Sequence, residues 1–328
     1  MVVHPAVVVA AEAAVAGNIQ VIVLAKHSSD ISNEVTHLYE HWFIASFCKL
    51  AHDRLGVHPG LIGYVGGNTF ANMVFIEAWF YDKHLAELFK AFYTQETLYD
   101  ELRATSLQQC QAEKRITLTV QSKQALQAQL NTLSNRPWLL EEDIEPFIYQ
   151  DSSSKIASPL RVEKATSAYR AITILANIEQ PTLEEKAVFI RLYVLLTEII
   201  SSYTQHKGWY DLDTLGSREN EHGMYCIISA SVPRKGATNR TIRAEVLQYI
   251  KDFDLAANMP LIRAHFEGFA QQPLWKGRLR QDLENFDVVS SNRRIAELAT
   301  EDRIRGILNR LDIVIETVSF DFAKDLRY

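Results

Sequence analysis

The stretch Val35-Thr36-His37-Leu38-Tyr39-Glu40-His41-Trp42 constrains this chain more than any other. As a helix it sets His37, Glu40 and His41 at positions i, i+3 and i+4, on one face within an arc of about 100°. Two imidazoles one turn apart can close on a divalent cation. A carboxylate on the same face can take a proton from a water held there. A solvated helix face carrying two histidines is the plainer reading of the same pattern. Beyond His41 the apolar stripe continues through Ile44, Phe47, Leu50, Ala51 and Leu55, and Gly56 and Pro59 end it. The spacing therefore predicts a helix with the polar trio on one face and a sheet against the other.

The flanking residues predict strands and further helices. Residues 19–25 are β-branched and continuous, as in a strand buried on both faces. Gly60 to Gly67 holds four glycines but no phosphate-loop pattern. Residues 69–81 read as one long strand, 84–92 and 95–113 as helices, 116–120 as a short strand or a helix end, and 122–132 as a helix. Residues 141–159, with an acidic run and Asp151-Ser152-Ser153-Ser154, read as a linker. The second half opens on a strand at 171–175. Thr182 then caps a helix, with Glu185 three residues on, that runs to about Ser202. A strand from Trp209-Tyr210 pairs with residues 225–232. Helices follow at 241–253, 260–269, 279–286 and 300–311, and 313–322 closes as a strand. Both halves thus read strand, helix, long strand, helices, an order that suggests duplication.

Composition narrows the function. The 328 residues carry 34 basic and 40 acidic side chains, a net charge of −6, which argues against a nucleic-acid binder. No apolar run reaches the ~18 residues of a membrane span. The apolar N-terminus lacks a basic region and holds Glu12, so it reads as a buried strand leading to a short helix rather than a signal peptide. Cys48, Cys110 and Cys226 are few, odd in number and outside any C-x-x-C pair, which fits core positions and a reducing cytoplasm.

His37-Leu38-Tyr39-Glu40-His41 is the H-x-x-E-H arrangement of the inverzincins. A catalytic zinc usually has three protein ligands, so a third must come from another segment. Taken with the order of elements, the motif resembles the pitrilysin/insulysin family of zinc metallopeptidases, whose signature continues with a glutamate ligand seventy to eighty residues on. Glu113 lies 72 residues past His41, and Gln109-Cys110-Gln111-Ala112-Glu113-Lys114-Arg115 looks like the family's third-ligand helix. On the residues alone, Glu113 ahead of Lys114-Arg115 also fits a surface ion pair, and Glu101 and Glu96 are the alternative carboxylates. Gly66-Gly67-Asn68-Thr69 and the strand after it resemble the family's glycine-asparagine turn and active-site edge strand. Leu195-Leu196-Thr197-Glu198 through Gly208-Trp209-Tyr210 resembles the segment that carries the family's paired arginine and tyrosine.

The resemblance implies an α+β fold of two similar lobes, each a mixed, mostly antiparallel sheet covered by helices, the LuxS/pitrilysin-like fold. Residues 1–150 would form the metal-bearing lobe and 151–328 the C-terminal lobe. His37, His41 and Glu113 would hold Zn²⁺, Glu40 would be the general base, and Tyr210 would polarise the scissile carbonyl. Asn68, Thr69, Phe70 and Ala71 would bind an extended peptide on the edge strand. Tyr210 also reads as a core aromatic and Asn68 as a turn residue. The arginine's slot falls near Tyr203 and Thr204 and holds none, and Ser106 stands where the family often has a second acid. A homodimer, or a heterodimer with a related subunit, would complete such a site. The expected activity is that of a cytoplasmic zinc endopeptidase; the alternative is a non-catalytic peptide-binding subunit of the same fold.

Overall fold

The computed structural model describes residues 20–70, 73–80, 82–140, 156–220, 223–270 and 292–318. The strand expected near the N-terminus, the helix at 279–286, residues 141–155 of the linker with the lobe boundary at 150/151, and Ala71 lie outside them.

The apolar run at the start becomes β1 (Gln20–His27). It is flanked on both sides, by β3 (Met73–Phe80) and by β5 (Leu139–Leu140), both antiparallel. A strand paired on both edges and packed on its faces has little use for polar alternation, which explains its near-continuous hydrophobicity. With β2 (Tyr64–Thr69) the sheet order is β2-β3-β1-β5. The helix α1 (Asn33–Leu55) crosses between β1 and β2. It stops at Gly56, whose φ of 66° closes the last turn with an N–H bond to the His52 carbonyl.

The second half repeats this plan. Strand β7 (Tyr169–Glu179) leads to the long helix α5 (Leu183–His206), then to the hairpin β8 (Tyr210–Asn220) and β9 (Gly223–Pro233). A closing strand β10 (Asp312–Val318) completes an antiparallel sheet of order β8-β9-β7-β10. Strand for strand, this order matches β2-β3-β1-β5. The chain is α+β with two similarly built antiparallel sheets, each packed with helices. Between them run α2 (Lys83–Gln95), α3 (Arg103–Lys114), β4 (Ile116–Val120) and α4 (Lys123–Ser134), and β4 pairs with β6 (Leu160–Lys164) from beyond the expected linker. Helices α6 (Asn239–Lys251), α7 (Leu255–Ala270), α8 (Asn292–Leu298) and α9 (Glu301–Arg310) serve the second sheet. The apolar core is continuous through both halves, from Ile22 and Phe43 to Ile228 and Ile304.

Four expectations are corrected. Residues 69–81 are not one strand. The chain reverses after Phe70, whose N–H bonds to the Met73 carbonyl at 2.8 Å, so β2 is the edge strand and β3 is interior. The glycine-asparagine stretch, expected as a turn, is part of β2. Residues 95–113 are not one helix either: α2 ends at Glu96, with φ +43°, and α3 begins after a 3-10 turn at Asp100–Leu102. Finally, α5 is long and apolar enough to cross a membrane by length and composition. Yet 78% of its most apolar window is buried inside the protein, as befits the core helix of the second half. Its N-terminus carries the capping box, with Thr182 and Glu185 bonded reciprocally.

Candidate metal centre

Helix α1 is enclosed over its first turns, with Val35, Leu38, Tyr39 and Phe43 almost without exposure and Thr36 and Trp42 also buried. The histidine face is therefore not a solvated one: His37 and Glu40 retain 5% and 6% of their surface. The T-shaped His37 and His41 rings lie 4.8 Å apart. Facing them is α3, which packs against α1 and presents Glu113 in its last turn. Both Nε2 atoms bond to the same carboxylate oxygen, Glu113 Oε2, His37 at 2.7 Å and His41 at 3.1 Å. Burial alone would raise the Glu113 carboxyl. The two imidazole hydrogen bonds and the charge of the rings outweigh it and hold the group well below the usual carboxylate range.

Three donor atoms from two helices thus converge on one point. Around a tetrahedral zinc with N and O ligands at about 2.1 Å, neighbouring donors stand roughly 3.4 Å apart, so a small opening of this cluster would admit the ion. Two imidazoles and one carboxylate suit zinc among the divalent metals. Cys110, one turn before Glu113, also approaches the imidazoles, within 4.8 Å. Its Sγ instead donates to the His37 carbonyl, and burial, followed by the charges of Glu113 and Glu40, keeps the thiol protonated well above its ordinary range. Without a metal, the carboxylate of Glu113 is the anionic group that both imidazoles bond, and the Cys110 thiol is engaged with the His37 carbonyl.

Glu40 stands beside the pair. Burial raises its carboxyl most, against the opposing effects of His41, His37 and a hydrogen bond donated by the Thr69 hydroxyl at 2.5 Å. Gly67 borders it so closely that a Cβ there would lie 2.4 Å from Glu40 Cγ. Asn68 is exposed near the end of β2, and Phe70 follows in the turn, its ring 5.4 Å from Phe75. From the second half, Tyr210 brings its ring to 6.0 Å from His41. Burial, then Glu113, Glu40, Asp211 and Tyr64, push its hydroxyl far above the usual tyrosine range. Strand β8 delivers it, and α3 packs on that strand.

No protein-family model matches the sequence, and no curated protein matches it. Solved structures with similarity include the ferredoxin protease FusC in complex with Arabidopsis ferredoxin, at 11% identity and a TM-score of 0.33, over 92% of this chain and 42% of that one. A protease from Helicobacter pylori is 11% identical with a TM-score of 0.28, over 91% and 94%. Pitrilysin is 10% identical with a TM-score of 0.30, over 95% and 42%. This chain spans less than half the length of FusC and pitrilysin.

The remaining candidates lie elsewhere. Glu101 is exposed in the 3-10 turn, and Glu96 serves a buried cluster with Lys26, Tyr39 and Trp138. Ser106 is fully buried and donates to the Leu102 carbonyl. At the arginine slot, Tyr203 donates to Glu245 and Thr204 to Asp211. Sequence reasoning missed two acids, Glu198 on α5 and Asp211 beside Tyr210. Burial, then Asp211, raises Glu198 to about 8. Burial, against Thr204 and Ser201, raises Asp211 to about 6. The signal for Glu198 was present, a lone charge within Leu195-Leu196-Thr197-Glu198-Ile199-Ile200.

Proposed function

We propose that this chain is a zinc-dependent endopeptidase. The observation that carries the reading is the meeting of His37, His41 and Glu113 at one carboxylate oxygen, with Glu40 on the same helix face. His37, His41 and Glu113 would hold the ion. When bound, zinc supplies Lewis acidity, which acidifies water and polarises a carbonyl. Glu40 takes the proton of the attacking water and passes it to the leaving amine. Its raised carboxyl brings its basicity closer to neutral pH, where such a relay works best. The Tyr210 hydroxyl stays protonated and can donate to the oxygen on which charge develops.

The peptide lies extended along β2, the edge of the first sheet, by strand addition. Asn68, Thr69 and Phe70 lie at the end of that edge. No arginine stands at the slot near Tyr203 and Thr204, and a related or identical partner chain would supply it, making this the metal-bearing subunit of a dimer. The same vacancy favours a second reading, a peptide-binding subunit that does not turn over.

Zinc content and cleavage of fluorescein-labelled casein by wild type and Glu40→Gln separate the readings. The peptidase reading expects one zinc per chain in both proteins and a loss of rate in Glu40→Gln of about 10²–10⁴-fold. Equal rates would exclude hydrolysis at this centre. Zinc without turnover, at every concentration of chain and with related partner chains added, would favour the binding subunit.

A further inference from the structure

Glu40 is buried, but burial alone does not orient a carboxylate. The last torsion of a glutamate is broad and roughly two-fold, so a general base needs something to hold its plane. Two residues of β2 supply it. Thr69 Oγ1 donates to Glu40 Oε2, and Gly67, on the same face of the strand, leaves the space that the Glu40 chain fills. Neither residue can slide. Thr69 pairs with Val74 and Gly67 with Ile76 on β3, which is itself held by β1.

We infer that Thr69 is a positioning residue: its hydroxyl occupies Oε2 and leaves Oε1 of Glu40 to receive the proton. This rests on the peptidase reading and adds to it. The strand that aligns the peptide is also the strand that aligns the base, so substrate register and base orientation are set by one element. Thr69 then acts through Glu40, and the peptide touches the backbone of β2 rather than the Thr69 hydroxyl.

The test uses the full chain loaded with zinc, casein as probe, and the variants Thr69→Val and Thr69→Ser. Thr69→Val keeps the shape and removes the hydroxyl. It should lower kcat about tenfold or more, short of the full ~10²–10⁴-fold contribution of a general base, with KM within about twofold and zinc content unchanged. Thr69→Ser should restore most of kcat. Thr69→Val with wild-type kcat, or with a changed KM alone, overturns the assignment and leaves the peptidase reading standing. A readout independent of turnover is the unfolding midpoint in urea. Thr69→Val should lower it in the wild-type background and leave it nearly unmoved in Glu40→Gln, where the charge-assisted bond is already lost. Were wild type to bind zinc and cleave nothing even with related partner chains added, the peptidase reading would fall, and this cycle would still decide whether Thr69 holds Glu40: equal shifts in both backgrounds refute it.

Discussion

Glu113 and Cys110 stand one turn apart on α3 and both approach the imidazoles, yet only the carboxylate is charged there. Glu113→Gln should weaken zinc binding by roughly 100-fold or more, beyond the 10–100-fold typical of outer-shell changes, whereas Cys110→Ala should leave it within severalfold; competition with a chromogenic chelator measures both. Glu198 permits a second residue-scale prediction. Its folded carboxyl titrates near 8, above the ordinary value of 4.5. The group contributes most to stability below the unfolded value, and that contribution is lost as pH rises through about 8. Glu198→Gln should therefore match wild type near pH 4 and be more stable above pH 8, by up to about 5 kcal/mol, in urea unfolding of metal-free protein. His37, Glu40 and His41 were legible as candidates because H-x-x-E-H needs only helical periodicity, and Glu113 became one through the family resemblance. Glu198 was marked only as a lone charge in an apolar run, and Asp211 not at all, because its burial comes from the packing of β8 on α5 and α3.

At the scale of elements, β1, α1 and the end of α2 are tied by one buried group. Lys26, with no exposure, pairs with Glu96, donates to Tyr39 OH at 2.7 Å, and lies 4.5 Å from the Trp138 ring centre. Burial lowers its ammonium to about 8 against the pull of Glu96. Lys26→Met would strand Glu96 with its charge uncompensated. A loss of about 3–5 kcal/mol is expected, with much of it recovered in Lys26→Met/Glu96→Gln, as read from urea midpoints. This cluster also explains a misreading. Residues 95–113 look helical throughout, but Glu96 turns out of α2 into the left-handed region where its carboxylate meets Lys26. The reading of 69–81 as one strand failed for a related reason. Gly66 and Gly67 resemble turn residues locally, and only the approach of Glu40 shows why a strand would keep a glycine there. Gly67→Ala should disturb Glu40 and cut casein cleavage while zinc content holds.

Across the whole molecule, the two sheets repeat one strand order while a single apolar core runs through both. The repeat was visible in the alternation of apolar segments; the pairing of β4 with β6 was not, since no local pattern announces a partner some forty residues away. The proposed ligand set, drawn from α1 and α3 with Tyr210 from the second half, would couple metal binding to the folded state. The most direct measurement is zinc K-edge X-ray absorption on the stoichiometrically loaded chain. One zinc per chain is expected, with nitrogen and oxygen neighbours at about 2.0–2.2 Å and none at the sulfur distance near 2.3 Å. A sulfur shell, or failure to retain zinc at all, would contradict it.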